Sequence, residues 1–308
     1  MNSAGFWWPL RSSLASAIIV AATIGLPKQA GAHADLEEQI VRVTLKLAVQ
    51  TNGLEASELY LHRADLFRRH AQFKEAAADL SQAALLQPDS AAVILARARL
   101  LADTRQTSEA LDEVQRFLRF MPGHSEGLVL RARCHAGLNR RLEAVADFTA
   151  AIAISATPEP DLYLERARIQ AALGDFASAV AGLDEGMIKL GNIPSLELPA
   201  IEYERAGANY AAALSRVDNI IARYPGREPW LALRGEILEQ AGRFAEAREA
   251  FEKVLAGVAA YPPARRGLEL SKDLETRASA GLTRAADKLS PSTNLPSANL
   301  HSALKSKS

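Results

Sequence analysis

The side chains in this sequence best suited to bind something are arginines. Arg-Ala-Arg recurs at 97–99, 131–133 and 166–168. A guanidinium presents a planar fork of donors that fits carboxylates and phosphates. Such forks at regular spacing could seat an acidic peptide segment or a terminal carboxylate. They could equally pair with acids of the same chain, such as Glu126 and Glu165. Groups for covalent chemistry do not converge. The histidines are His33, His62, His70, His124, His135 and His301, and none forms the H-E-x-x-H pair that binds zinc from one helical face. A Gly-rich phosphate loop and a G-x-S-x-G elbow are both missing. His62 and Asp65, three apart on a helix, read as a surface pair. Glu37-Glu38 reads as favourable charge at a helix start. The single cysteine, Cys134, permits no internal disulfide and no cysteine metal site, and its alanine-rich surroundings make it a small buried apolar residue. The expectation is a protein that is not an enzyme and holds no cofactor or metal.

The elements that carry the arginines repeat with a period of 34. Pro88 and Pro122 are 34 apart, as are Ala76, Ala110 and Ala144. Ala64, Ala98 and Ala132 keep the same interval, each preceded by arginine. One extra residue near Pro158–Pro160 shifts the frame, which resumes at Arg166-Ala167 and runs on through Ala179, Ala213 and Ala247. A fixed period of this size marks stacked supersecondary units. The repeats run 57–90, 91–124, 125–158, 160–193, 194–227 and 228–261. Each reads as two helices, such as Glu58 to His70 and Phe73 to Leu86. Small residues at positions eight and twenty let the pair approach closely. Large apolar residues at position twenty-four (Leu80, Val114, Phe148, Leu183, Val217, Phe251) fill the gap to the next pair. Proline near position thirty-two, at Pro88, Pro122 and Pro225, stops the second helix.

Residues 57–261 resemble the tetratricopeptide family, and Gly174-Asp175-Phe176 and Gly242-Arg243-Phe244 look like its turn between paired helices. The resemblance implies an all-α fold, a right-handed superhelical solenoid of helix-turn-helix repeats. The fifth repeat departs most: Pro199 falls inside its first helix, where a kink or shortening is expected, and Ile201 replaces the small residue at eight. In the family, positions two, five, six, nine, twelve and thirteen of the first helix tend to line a concave groove. Position nine here reads Asp65, Arg99, Arg133, Arg168, Glu202 and Glu236, so the resemblance sets three arginines side by side in mid-groove. Position five, Leu61, Leu95, Val129, Leu164 and Leu198, would give that groove an apolar floor. The lysine and asparagine of the family's carboxylate clamp do not occur at positions five and nine. Arginines at position seven are expected to brace neighbouring helices.

The ends differ from the array. Arg11, the apolar run Leu14 to Leu26, Pro27 and then Ala32-His33-Ala34 follow the layout of a secretory signal peptide. The run is shorter than the ~20 residues of a membrane span. Residues 1–34 are therefore expected to be a leader cut after Ala34, with a periplasmic or secreted product that keeps no stable membrane span. Residues 35–56 fit a capping helix or half repeat through Leu36, Ile40, Val43 and Leu47. The alternation of Val41, Val43, Leu45, Leu47 and Val49 also permits a strand. Residues 262–278 read as a closing helix and 279–308, with serines and prolines, as a disordered tail. The 36 basic and 36 acidic residues balance, which gives no support to a nucleic-acid partner. The expected role is an exported scaffold that holds a protein or peptide partner in its groove. The competing readings are a cell-envelope assembly factor that binds an anionic polysaccharide and a structural array that self-associates.

Overall fold

The computed structural model describes residues 28–289 except 51, 192, 224–226 and 261–267. Every regular element among these is a helix. The elements are α1 (Lys28–Val49), α2 (Gly53–Arg69), α3 (Phe73–Leu86), α4 (Ala91–Asp103), α5 (Thr107–Phe120), α6 (Ser125–Gly137), α7 (Arg141–Ile154), α8 (Pro160–Ala172), α9 (Phe176–Leu190), α10 (Pro194–Ala206), α11 (Tyr210–Arg223), α12 (Glu228–Gln240), α13 (Phe244–Ala260) and α14 (Leu268–Leu289). From α2 to α13 they form the six expected hairpins, an all-α tetratricopeptide-type architecture. The frame shift is absorbed in a loop: residues 155–159 between α7 and α8 are one more than 87–90 or 121–124.

Each hairpin turns the same way. The middle turn residue is left-handed in all six: Ala71, Arg105, Asn139, Gly174, Ala208 and Gly242, with φ between 58° and 82°. The next residue donates its N–H back five positions, as in Gln72 to the Phe67 carbonyl (2.8 Å) and Asn209 to that of Glu204 (2.7 Å). This satisfies carbonyls that a helix end would leave open. Only two of the six positions hold glycine, so four turns were invisible as glycine signals. Several helix starts are also capped. Asn52 accepts from the N–H of Leu54, His124 from Gly127 and Asp175 from Ser178.

The chain divides into two compact units, Met1–Leu196 and Glu197–Ser308. In the first, α1 packs on α2, and each helix from α2 to α8 packs on its successor. First helices also meet one another directly, α2 against α4 and α4 against α6. In the second, α11 to α14 pack in order and α14 also covers α12. In both units the alanines at position twenty and the apolar residues at twenty-four are buried. Phe251 shows the logic of size. It lies against Gly235, where a Cβ would come within 2.6 Å of its ring.

Residues 41–49 are helical, so of the two readings of this segment the helix is present and the strand is not; Leu36 and Val43 face α2 around Leu66. Three expectations need correction. Because α1 starts at Lys28, Glu37-Glu38 lies well inside the helix, not at its start. Residues 279–289 are helical, not tail. Leu274, Ala278 and Leu282 pack in the Phe251 cluster at helical spacing, Ala285 on the same stripe is also buried, and Gly281 lets the helix close on that ring. The helix α10 runs its full length through Pro199. The N–H that proline lacks would have reached only the Ser195 carbonyl, so one bond is lost. The expected leader lies mostly outside the described residues, as does the tail beyond Leu289, and the cut after Ala34 would fall within α1.

Candidate functional site

The first helices carry the candidate groove, and the arginines at position seven hold them in place. Arg63 donates from Nε and Nη2 to Asp79, both at 2.7 Å. Arg131 does the same to Asp147 at 2.7 and 2.5 Å. Arg97 reaches Glu113 at 3.3 Å. Each acid sits sixteen residues on, at position twenty-three, so each pair ties the two helices of one hairpin. These bidentate bonds, outweighing the opposing effect of burial, hold the Arg63 and Arg131 guanidiniums above their ordinary pKa. The fourth repeat breaks the pattern. Position twenty-three is Gly182, and Arg166 reaches its carbonyl at 3.4 Å and Glu185 at 2.7 Å. The Arg166 Nε is buried without a partner.

The position-nine arginines behave differently from one another. Arg99 of α4 pairs with Glu126 of α6 at 2.5 Å, and its buried Nε has no partner. Arg133 of α6 grips Glu165 of α8 through Nε and Nη2, the closest contact 2.7 Å. That hydrogen bonding, set against burial, raises the Arg133 pKa. Both pairs therefore join the first helix of one repeat to that of the next. Arg168 is exposed and has no ion-pair or hydrogen-bond partner among the described residues. Of the three arginines, two act as bridges and one is open.

The apolar floor is only half present. Leu61 and Leu164 are half-buried and accessible. Leu95 and Val129 are 6% and 8% exposed and belong to the packed interior. Leu198 falls in the second unit. A cleft of about 230 Å3 opens between α2 and α4, with Leu61, Ala92 and Ala96 in its walls and Asp65, Arg68 and Arg99 polar among them.

Arg68 is the groove residue that sequence reasoning missed. It contacts Asp65 at 2.9 Å on its own helix and Asp103 of α4 at 2.6 Å. Asp65 is thus engaged by Arg68, not by His62. The signal was available, since Arg68 and Asp103 occupy positions twelve and thirteen of adjacent repeats. Cys134 is buried, and burial raises its thiol pKa. Among the described residues no group of three His, Cys, Asp or Glu could hold a metal ion, and no helix is long and apolar enough to cross a membrane.

A tetratricopeptide repeat family model matches residues 200–265. Among solved structures the chain is similar to a chain in the structure of Naa15/Naa10 bound to HypK-THB, with 16% identity, 83% of this chain and 39% of that one covered, and a TM-score of 0.53. It is also similar to a tetratricopeptide repeat protein from Parabacteroides merdae ATCC 43184, with 16% identity, 80% and 93% coverage and a TM-score of 0.49. A third is PilW, described as a widely conserved type IV pilus biogenesis factor, with 20% identity, 73% and 99% coverage and a TM-score of 0.48. No curated protein matches the chain in sequence. Likeness at these identities is a likeness of fold.

Proposed function

We propose that the chain is a non-enzymatic scaffold of the tetratricopeptide-repeat type whose first unit seats an acidic segment of a protein partner along α4, α6 and α8. The observation that carries this reading is Arg168, an exposed guanidinium with no partner among the described residues, standing one turn from half-buried Leu164. Leucine and arginine four apart share a helix face. Together they offer apolar contact beside a charge, which suits an extended peptide or a helix. Arg99 and Arg133 are supporting positions. Their pairs are partly exposed, so opening one to admit a ligand carboxylate costs little.

The proposal includes export. The support is the sequence of residues 11–34, and N-terminal sequencing of the mature protein tests it: a start at Asp35 fits, and a retained Leu14–Leu26 run does not.

The binding test is capture of partners from the native compartment by wild type, by Arg168→Ala and by the triple alanine variant at Arg99, Arg133 and Arg168. Loss of a partner with Arg168→Ala supports the reading. Equal capture by the triple variant and wild type overturns it. A bound species that resists protease treatment and is released steeply by salt would instead favour an anionic polysaccharide.

A further inference from the structure

We propose that the cleft between α2 and α4 is the anchor pocket for one large apolar side chain of the partner's segment, a leucine, methionine or phenylalanine. This rests on the proposed groove function and adds what the segment must carry beside its acids. The cleft has a cause in the sequence. In the next two repeats the arginine at position nine meets an acid on the following first helix. Arg99 takes Glu126 at position two, and Arg133 takes Glu165 at position six. On α4 those two positions are Ala92 and Ala96. Neither side chain is long enough to reach back to α2, and Asp65 at its position nine pairs with Arg68 of its own helix. The gap runs down to the packed cluster of the first hairpin, where Ala64, Ala76, Leu80 and Leu100 are buried along its floor.

Size and charge select the occupant. An apolar cavity of about 150 Å3 takes up benzene. This cleft, of about 230 Å3, has room for a single large apolar side chain. Floor atoms that face a gap forfeit dispersion contacts, which such a side chain restores. The charges at the rim are already engaged, Arg68 with Asp65 and Asp103, and Arg99 with Glu126. A charged group must break one of these pairs to enter, whereas a neutral one breaks none. One donor is unmet. Arg99 Nε is buried without an acceptor, and a small turn of this half-buried side chain presents it to a carbonyl of the ligand backbone. The occupant is therefore a neutral residue within a chain, flanked by peptide carbonyls.

NMR titration of the full chain with N-acetyl-leucine methylamide tests this. The expected result is saturable shifts at Ala92, Ala96 and the Arg99 Nε–H, with a Kd of about 1 mM, the scale for a ligand of about 13 heavy atoms. N-acetyl-glycine methylamide, which lacks the side chain, should bind about tenfold more weakly or worse. Ala96→Leu fills the cleft from the protein side. It should lower affinity for the leucine probe about tenfold while melting no lower than wild type. Ala92→Leu does the same from an exposed position, and replaces Ala96→Leu if that variant loses stability. Arg168 lies outside the cleft, so Arg168→Ala should bind the probe as wild type does, which separates this test from the capture test of Arg168. Absence of saturable shifts at the cleft overturns the proposal. So does equal binding of the glycine probe, or full affinity in the filled variants. A partner that Arg168→Ala loses but both filled variants keep overturns the anchor and leaves the groove function standing.

Discussion

Replacing Gly182 with aspartate should stabilise the first unit, although it adds atoms to a packed site. In the first and third repeats an aspartate at position twenty-three takes both Nε and Nη2 of the position-seven arginine. In the fourth, Arg166 is 5% exposed and its Nε is buried without an acceptor. Supplying that acceptor is worth about 1.5–3 kcal/mol for a charged hydrogen bond. Leaving glycine in the middle of α9 adds a few tenths of a kcal/mol in helix propensity. Against this, a Cβ at 182 would lie 2.9 Å from Nη2 and 3.3 Å from Nε of Arg166. The atoms it meets are the end of a flexible side chain, so the cost is about 1 kcal/mol, at the low end for overpacking. The net gain is about 1 kcal/mol, or about 2–4 °C in melting temperature for a unit of this size. Calorimetry or urea unfolding followed by circular dichroism measures it. Gly182→Asn is the control, with the same shape and no charge. If the aspartate variant is less stable than wild type, or no better than the asparagine variant, the position-seven brace is not a stabilising device.

Other consequences are as direct. Ala71→Gly and Ala208→Gly remove left-handed strain at alanine, which costs about 1–2 kcal/mol. Glycine's greater freedom in the unfolded chain offsets part of that, so each should gain about 0.5–1 kcal/mol in chemical denaturation. Gly281→Val places a branched side chain against the Phe251 ring and should cost about 1–3 kcal/mol, visible as a lower urea midpoint. His135 is held below its ordinary pKa of 6.5, chiefly by burial and despite the pull of Asp147. The fold therefore favours the neutral ring, and stability present above about pH 6.5 declines as pH falls from there through the lower folded value. Urea midpoints from pH 8 to 5 should show that decline in wild type and less of it in His135→Leu. Arg168→Glu should lose an acidic partner more completely than Arg133→Ala, because it puts repulsion where the open cation stood, and a pull-down reads the difference.

The architecture was legible because its signals are local and repeated. Alanine at position twenty recurs six times, and each copy is buried in a hairpin the period already outlined. The second boundary of the closing helix was not legible, because Ala278, Gly281 and Ala285 look like a serine-rich tail until Phe251 supplies a surface for them. The turns were half hidden for a similar reason. Ala71, Arg105 and Ala208 take left-handed conformations because the paired helices impose them, which no residue preference announces. The groove was the least legible part. Position nine set Arg99, Arg133 and Arg168 on corresponding turns, but whether an arginine is open depends on the acid on the next helix. Glu126 and Glu165 could be named from the sequence as possible partners, but they sit at positions two and six of their repeats, and only the structure shows which arginine each one takes and that Arg168 is left open.

That difference between the arginines bears on how such a surface could be selective. A row of identical open cations would attract any polyanion, with affinity that falls steeply in salt. Here two of the three cations are already neutralised by neighbours, and the chain as a whole balances 36 bases with 36 acids. A ligand therefore gains little from charge alone. It must offer a carboxylate within reach of Arg168 and an apolar group for Leu164, and displace Glu165 from Arg133 if it is to extend along the row. Each displacement exchanges one ion pair for another and contributes close to nothing, so discrimination falls on the single open position and its apolar neighbour. Removing Glu165 should accordingly broaden binding: Glu165→Gln frees Arg133, raises affinity for acidic segments in general and reduces the contrast between them. Isothermal titration of acidic and amide-substituted peptides against both proteins measures that contrast. An unchanged contrast would mean that Arg133 and Glu165 take no part in recognition.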